Sequence, residues 1–201
     1  MAIVTALTLV GCARQPTTPT APPDPPARGV LAPLTKPTLP PLTQPTYSLA
    51  NFTDQTLPAV QSYAFVSRQT TVRAIKTSID GAMTDLFKDP NLGAHIAGPA
   101  IFVYRGMTGG LDEAFTLEIG FPVQPNYQPQ EGVQIRTLPA MRCLSVQFEG
   151  MLSAIDKAYD KLLPAVASRN LKRTGETREI YYNWASPESA ENQVLVAVGV
   201  Q

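Results

Sequence analysis

From about residue 60 onward, apolar residues recur at the spacings of helices and strands. The segment 151–169 is the clearest helix, because its apolar residues recur every three or four positions. Pro164 is expected to kink or end this helix. A shorter helix is predicted from about Gly81 to Lys88, where Asp89 and Pro90 stop it. The stripe of the long helix consists of Leu152, Ile155, Ala158, Tyr159, Leu162, Leu163 and Val166.

Other segments are typical of strands, because they are rich in apolar and β-branched residues between turn signals. Within the longest of them, Pro139 requires a bend or an edge position, since proline cannot donate to a strand ladder. Together with the helices, the strands give the order strand–helix–strand–strand, twice. The predicted strands are 63–79, 100–104, 114–120, 133–148, 179–184 and 193–200.

A weak internal repeat with an offset of 69 residues supports this duplication. It matches residues 72–75 with 141–144, and residues 79–81 with 148–150, pairing apolar with apolar, acid with acid and glycine with glycine. Chance similarity is the alternative, since a strand followed by a glycine turn is common. We predict an α+β fold in which duplicated strand–helix–strand–strand modules form an antiparallel sheet with two helices and a central ligand groove.

Composition sets the N-terminal third of the chain apart. Residues 13–45 contain 11 of the 20 prolines, six threonines and no aromatic residue. Such a segment buries too little apolar area to offset the entropy of ordering it, and is expected to be an extended spacer. We assign residues 13–59 to a proline-rich disordered tether and 60–201 to one domain, and expect the chain from 59 onward to fold by itself.

The first twelve residues resemble a bacterial lipoprotein signal. Residues 2–11 (AIVTALTLVG) carry no charge and are too few to span a bilayer. The run Leu9-Val10-Gly11-Cys12 resembles a lipobox, which predicts a signal peptide over 1–12 and lipid attachment at Cys12. No Lys or Arg precedes the apolar run, so either the start lies upstream or the signal is weak. The alternative is a chance cysteine. The predicted location is the bacterial cell envelope, at the outer membrane where one exists.

Charge and cysteine content exclude several classes of protein. The chain has 16 basic and 16 acidic residues, and its densest basic cluster is Lys172, Arg173 and Arg178. Nucleic-acid binders usually carry a larger basic footprint, so no nucleic-acid partner is predicted. Cys143 lies in a predicted strand and is interpreted as a small buried apolar residue, not as a disulfide partner of Cys12.

Two acids stand out among the candidate site residues. Glu179 begins the strand EIYYNW, where it shares one face with Tyr181 and Asn183. A carboxylate beside aromatic rings suits a cationic or hydrogen-bond-donating ligand. Glu118 is the one charge in AFTLEIGFPV. For each acid the alternative is a solvated or ion-paired residue.

Aromatic residues would form the walls of the ligand site, although each is also a plausible core residue. The predicted walls are Phe102, Tyr104, Tyr159, Tyr181 and Trp184. The sole histidine, His95, is interpreted as lining a loop. The sequence contains no zinc-ligand spacing, phosphate loop or nucleophile elbow, so neither a metal nor a cofactor is predicted.

Several motifs in order resemble the GyrI-like small-molecule-binding family over residues 62–201. Four motifs carry this resemblance. The first is a strand with an acidic residue that ends in Gly-x-Pro-Val, and the second is a Leu-Pro-Ala before a central strand. The third is a glycine that leads into a helix with Ala-Tyr-x-x-Leu, and the fourth is a second glycine that precedes Arg-Glu-x-Tyr. These are residues 115–123, 138–140, Gly150 with 158–162, and Gly175 with 178–181.

The resemblance implies a central pocket with the acid at Glu179 on its floor. Members of the family serve as effector-binding domains of transcription regulators, others stand alone, and some resemble hydrolases of electrophilic natural products. Our leading hypothesis is a membrane-anchored binding module for a small, largely apolar molecule, either neutral or cationic. The alternatives are a hydrolase that uses Glu179 as general acid or base, and a structural lipoprotein without a ligand.

Overall fold

The computed structural model describes residues 46–201, so the predicted signal peptide, Cys12 and the tether as far as residue 45 lie outside the described residues. The described part contains eight strands, three α-helices and one 3₁₀ turn, Leu152–Ala154. The helices are α1 (Ile75–Leu86), α2 (Leu92–His95) and α3 (Asp156–Ser168). The strands are β1 (Tyr47–Leu57), β2 (Val60–Thr70), β3 (Ala100–Arg105), β4 (Phe115–Pro122), β5 (Gln134–Leu138), β6 (Met141–Gly150), β7 (Arg173–Asn183) and β8 (Gln193–Val200).

All eight strands form one antiparallel sheet in the order β1-β6-β8-β7-β3-β4-β2-β5. Exchanging β1 with β5, β2 with β6, β3 with β7 and β4 with β8 reproduces this order read backwards. The described part therefore consists of two modules, each with two strands before its main helix and two after it, which are related by a pseudo-two-fold axis and meet at the β3–β7 pair. Each module has one leading strand more than the predicted strand–helix–strand–strand order. The predicted α+β class and duplicated topology are confirmed.

The two modules exchange their leading strands. β1, which leads into β2 along the chain, pairs with β6 of the second module. β5, which leads into β6, pairs with β2 of the first module. This exchange adds one edge strand to each end of the sheet and ties the modules together beyond the central pair.

The offset of 69 residues was wrong, although the duplication itself is present. It aligns residues inside α1 with the end of β6. The structure instead matches β2 with β6 and α1 with α3. The predicted strand 63–79 ends at Thr70, because the next apolar residues are spaced for a helix: Ala82 and Leu86 are buried, and Ile75, Ile79 and Met83 pack against the core.

Two prolines have different effects. The predicted strand 133–148 is divided at Pro139 and Ala140 into β5 and β6, which is the bend that the sequence required. In α3, by contrast, the helix continues past Pro164 to Ser168. Ala158, Leu162 and Val166 of the predicted stripe are buried, which anchors the helix on both sides of the proline.

The assignment of residues 13–59 to a tether needs correction, because Tyr47–Leu57 form β1. This strand lies at the edge of the sheet, and most of its residues are exposed. It therefore lacks the apolar alternation that identifies a half-buried strand. Leu57, at its end, is 6% exposed and packs with Met141 and Cys143.

The two faces of the sheet are covered differently. α1 packs on β2 and β4, and α3 packs on β6 and β8, so that the central β3–β7 pair lies between the helices. The opposite face carries two small apolar clusters, one of which contains the fully buried Cys143, as predicted. Within residues 46–201, none of the helices is long and apolar enough to cross a bilayer.

We predict that β1 is required for full stability. A chain that begins at Ala59 should unfold at a lower temperature than one that begins at Thr46. The shorter chain loses the whole β1–β6 ladder and the burial of Leu57, which alone is worth about 2 kcal/mol. It also exposes β6 as an unpaired edge, which should favour aggregation. Equal urea midpoints for the two chains would contradict this role of β1.

Candidate functional site

Glu179 lies at the centre of the molecule, on the face of the sheet that carries the helices. It sits on β7 opposite Phe102 of β3, in the strand pair where the two modules meet. Its neighbour on the same face, Tyr181, belongs to the main core cluster. Although Glu179 is a carboxylate, it is only 3% exposed. Burial of an acid at this depth requires partners for its oxygens.

Three tyrosine hydroxyls supply those partners. The Tyr104 and Tyr181 hydroxyls both donate to Oε2 of Glu179, each at 2.7 Å. The Tyr159 hydroxyl donates to Oε1 at 2.6 Å. The three donors come from β3, β7 and α3, so the carboxylate joins both modules and one helix. The distances of 2.6–2.7 Å are those of well-formed O–H···O hydrogen bonds.

The tyrosines are held in their donor form. Burial, and after it the negative charge of Glu179, raises the pKa of Tyr104, Tyr159 and Tyr181 well above the usual range of a phenol. Each hydroxyl therefore keeps its proton and remains a donor to the carboxylate through the physiological pH range.

Glu179 has no cationic partner within the described chain. It takes part in none of the ion pairs formed among residues 46–201, whereas the buried Glu118 pairs with two arginines. The third buried acid of the described residues, Asp89, also lacks a cationic partner, and accepts from the Tyr127 hydroxyl and from backbone N–H groups. The negative charge of Glu179 is stabilised by hydrogen-bond donors alone.

Aromatic rings close the space above Glu179. Phe102 lies 4.6 Å from Tyr181 and 5.5 Å from Trp184, and Tyr181 lies 4.9 Å from Trp184, measured between ring centroids. Phe102 and Tyr181 are buried, whereas Trp184 and Tyr159 are only partly buried. The predicted walls are thus brought together around the acid, and Trp184 and Tyr159 form the outer layer.

Sequence reasoning missed the hydrogen bonds of this cluster. It selected Tyr104 and Tyr159 as walls, but nothing in the sequence indicates that their hydroxyls reach the same carboxylate from 75 and 20 residues away. It also missed Phe115, which packs 6.2 Å from Tyr104. Asn183, expected on the same face as Glu179, is exposed instead, because the ladder shifts register after Tyr181.

Glu118 does not join the cluster. Its neighbours Leu117 and Ile119 enter the main core, so its own side chain lies on the opposite face of the sheet. There it accepts from Arg136 at 2.6 Å and from Arg105. The pairing continues from Arg105 through Glu176 to Arg178, which is 2% exposed. Glu118 is therefore part of a chain of ion pairs rather than a wall of the site.

The sole histidine contacts its own helix and a neighbouring aromatic ring, and the described residues contain no group of metal-ligating side chains. His95 ends α2, where Nδ1 lies 2.9 Å from the carbonyl oxygen of Asn91 and the ring packs 5.5 Å from that of Tyr127. Over the part of the chain that the structure describes, no three His, Cys, Asp or Glu side chains are grouped to hold a metal ion.

Residues 62–199 match the sequence profile of the GyrI-like small-molecule-binding domain. The chain belongs to this family. The match covers both modules and the whole Glu179 cluster, so the resemblance carried by the sequence motifs is confirmed. No curated protein sequence is significantly similar to the chain.

Solved structures share the fold of this GyrI-like chain at low identity. The crystal structure of the EcmrR C-terminal domain matches with a TM-score of 0.56 at 14% identity, over 79% of this chain and 99% of that one. The structure of SAV2435 bound to tetraphenylphosphonium matches with a TM-score of 0.55 at 11% identity, and the match covers 78% of this chain and 94% of that one. The structure of EcmrR in a complex with DNA matches with a TM-score of 0.59 at 16% identity, and the match covers 77% of this chain and 57% of that one.

We predict that the hydrogen bonds to Glu179 stabilise the fold more than a neutral bond does. Tyr104→Phe removes a donor to a buried carboxylate and should lower the free energy of unfolding by about 2 kcal/mol. Tyr63→Phe is the matched control, since the fully buried Tyr63 hydroxyl donates at 2.7 Å to the neutral carbonyl of Ile101. That change should cost about 1 kcal/mol. Urea unfolding measures both, and a larger loss in Tyr63→Phe would contradict the charged role of Glu179.

Proposed function

We propose that this GyrI-like chain is a membrane-anchored binding module for a small, largely apolar cation, and that Glu179 supplies the counter-charge. The binding of small molecules is the property of the family. Beyond this family property, we propose that the ligand carries a positive charge and that the chain is anchored to a membrane. The observation that carries the first is the buried carboxylate of Glu179, which is held by three hydroxyls and by no cation of the described chain.

The surroundings of Glu179 define the ligand. Three of the acceptor positions of its two oxygens are already used by hydroxyl groups, so a ligand gains more from charge than from hydrogen bonds. Phe102, Tyr181 and Trp184 offer ring faces, each of which attracts a nearby cation by about 0.5–2 kcal/mol. A cation with its charge spread over an apolar body fits both properties.

The solved structure of SAV2435 with tetraphenylphosphonium supports the choice of this compound as a probe. That protein shares the fold, and its ligand is a lipophilic cation. In the present structure the rings themselves fill the space above Glu179, so binding requires movement of side chains. Trp184 and Tyr159 are the members to move, because they lie outermost and are only partly buried.

We predict that Glu179→Gln weakens the binding of tetraphenylphosphonium at least about tenfold, because it keeps the shape and removes the charge. Calorimetry would measure the Kd. Triphenylphosphine oxide, an uncharged compound of related shape, should lose much less. Glu118→Gln is the matched control: it removes a buried carboxylate that already has two arginine partners on the other face, and should leave the Kd within about twofold.

The same variants separate the alternatives. Equal losses in Glu179→Gln and Glu118→Gln would mean that the effect is one of stability, and the cation hypothesis fails. If Glu179→Gln keeps the Kd but abolishes turnover of an electrophilic substrate, the chain is a hydrolase. If wild-type protein binds neither compound, the cleft is a closed structural core.

The anchor is proposed from the sequence of the first twelve residues alone. A lipobox-like run before Cys12 and a proline-rich segment after it suit a lipid-anchored protein held away from the bilayer. We predict that the protein expressed in bacteria is labelled by a palmitate analogue and sediments with membranes. Cys12→Ala should abolish both, whereas Cys143→Ala, at the one other cysteine, should abolish neither. Labelling that persists in Cys12→Ala would refute the anchor.

We further propose that the chain binds no DNA by itself. Of its densest basic cluster, Arg178 is buried and occupied by Glu176 and the carbonyl of Pro139, which leaves no continuous basic surface there. The EcmrR protein found in a complex with DNA is longer than the region that matches this chain, since the match covers 57% of it. A gel-shift titration at low salt should give no retarded band, and salt-dependent binding would overturn this prediction.

A further inference from the structure

Asn192 is a fully buried polar residue that has no contact with Glu179. It lies in the connection between β7 and β8 and is 0% exposed. Its Nδ2 donates to the carbonyl oxygens of Ser186 and Ser189, at 2.7 Å each, and lies 3.2 Å from the carbonyl of Gly150. Its Oδ1 accepts from the backbone N–H of Ala185 at 3.1 Å. The side-chain amide thus uses both of its donor protons and one of its two acceptor positions on backbone groups.

These bonds join two separate parts of the chain. Residues 185–189 belong to the connection that immediately follows Trp184, whereas Gly150 ends β6. A further bond, from Leu152 N–H to the Pro187 carbonyl at 2.9 Å, ties the connection to the 3₁₀ turn that precedes α3.

These two parts of the chain carry Trp184 and Tyr159, the outer members of the aromatic cluster around Glu179. Trp184 precedes the connection by one residue, and Tyr159 lies in the first turns of α3. Trp184 packs on Phe102 and Tyr181, and Tyr159 donates to Glu179. The Asn192 amide therefore holds the backbone next to Trp184 and before α3, together with the backbone bonds from Gly150 N–H to the Asn192 carbonyl and from Leu152 N–H to the Pro187 carbonyl.

We propose that Asn192 is a positioning residue for the ligand cleft, which sets how firmly Trp184 and Tyr159 close over Glu179. The proposal rests on the proposed function of the cleft. With the amide in place, the backbone that carries the two walls is ordered before a ligand arrives, so that only the side chains of Trp184 and Tyr159 have to move on binding. Without it, the Ala185 N–H and two or more carbonyls lose their partner, and the connection must be ordered at the moment of binding, which weakens affinity.

Trp184 provides a direct readout, because it is the only tryptophan of the chain. In full-length Asn192→Ala without any ligand, we expect quenching of Trp184 fluorescence by acrylamide to rise about twofold or more, since the connection opens locally. The Kd for tetraphenylphosphonium should rise about tenfold, mainly through faster dissociation. Asn192→Asp keeps the acceptor but loses the donors, and should not restore either property.

Asn183→Ala is the matched control. Asn183 lies at the other end of the same connection and makes one exposed hydrogen bond, 2.7 Å to the carbonyl of Glu191. It should leave quenching and Kd unchanged. A lowered melting temperature in Asn192→Ala with wild-type quenching of Trp184 would reduce Asn192 to a structural residue and overturn the proposal. Because quenching is measured without ligand, it separates this failure from failure of the cation hypothesis, in which wild-type protein would not bind the probe.

Hydrogen exchange on the wild-type protein tests the same idea should Asn192→Ala not fold. The amides of Ala185 and Leu152, which are bonded to Asn192 and Pro187, should open together as one unit and exchange more slowly when tetraphenylphosphonium is added. Independent exchange of the two amides, or exchange unaffected by bound probe, would overturn the proposal.

Discussion

The buried carboxylate of Glu179 is the constraint on which the centre of this molecule depends. An acid that is 3% exposed is tolerated only if its oxygens are satisfied, and here three tyrosine hydroxyls satisfy them. Because the donors stand on β3, β7 and α3, these elements must keep their register and their packing for the charge to remain buried. The donors bring the rings of Tyr104, Tyr159 and Tyr181 to the acid, and Phe102 and Trp184 pack on Tyr181.

The pseudo-two-fold arrangement explains why the acid lies where it does. Each module covers its outer strands with its own helix, and the modules join through β3 and β7. The strand pair at the junction is therefore covered by side chains alone. A space covered by side chains can open by rotamer changes, whereas one beneath a packed helix cannot. Sites between modules are common for this reason.

Two buried glutamates of the same sheet differ in the groups that satisfy their carboxylates. Glu118 meets two arginines, and its charge is neutralised within the chain of ion pairs on one face. Glu179, on the other face, is bonded to hydroxyls that leave its charge in place. Both acids are satisfied as hydrogen-bond acceptors, but only Glu118 has cationic partners among the described residues. The residue type alone does not distinguish them.

The amino-acid sequence by itself determined the family, the duplicated α+β topology, the stripe of α3 and the bounds of β8, and it singled out Glu179 and nearby aromatic residues as candidates. These features depend on local periodicity and on motifs, which a sequence carries directly. Only the tertiary structure decided that residues 47–57 form a strand, that the chain turns into α1 after Thr70, and that Glu118 lies apart from Glu179. Periodicity tells which side chains share a face but not what that face meets. The partners of Glu179 come from strands and a helix far apart in sequence, and their meeting depends on strand pairing and helix packing across both modules.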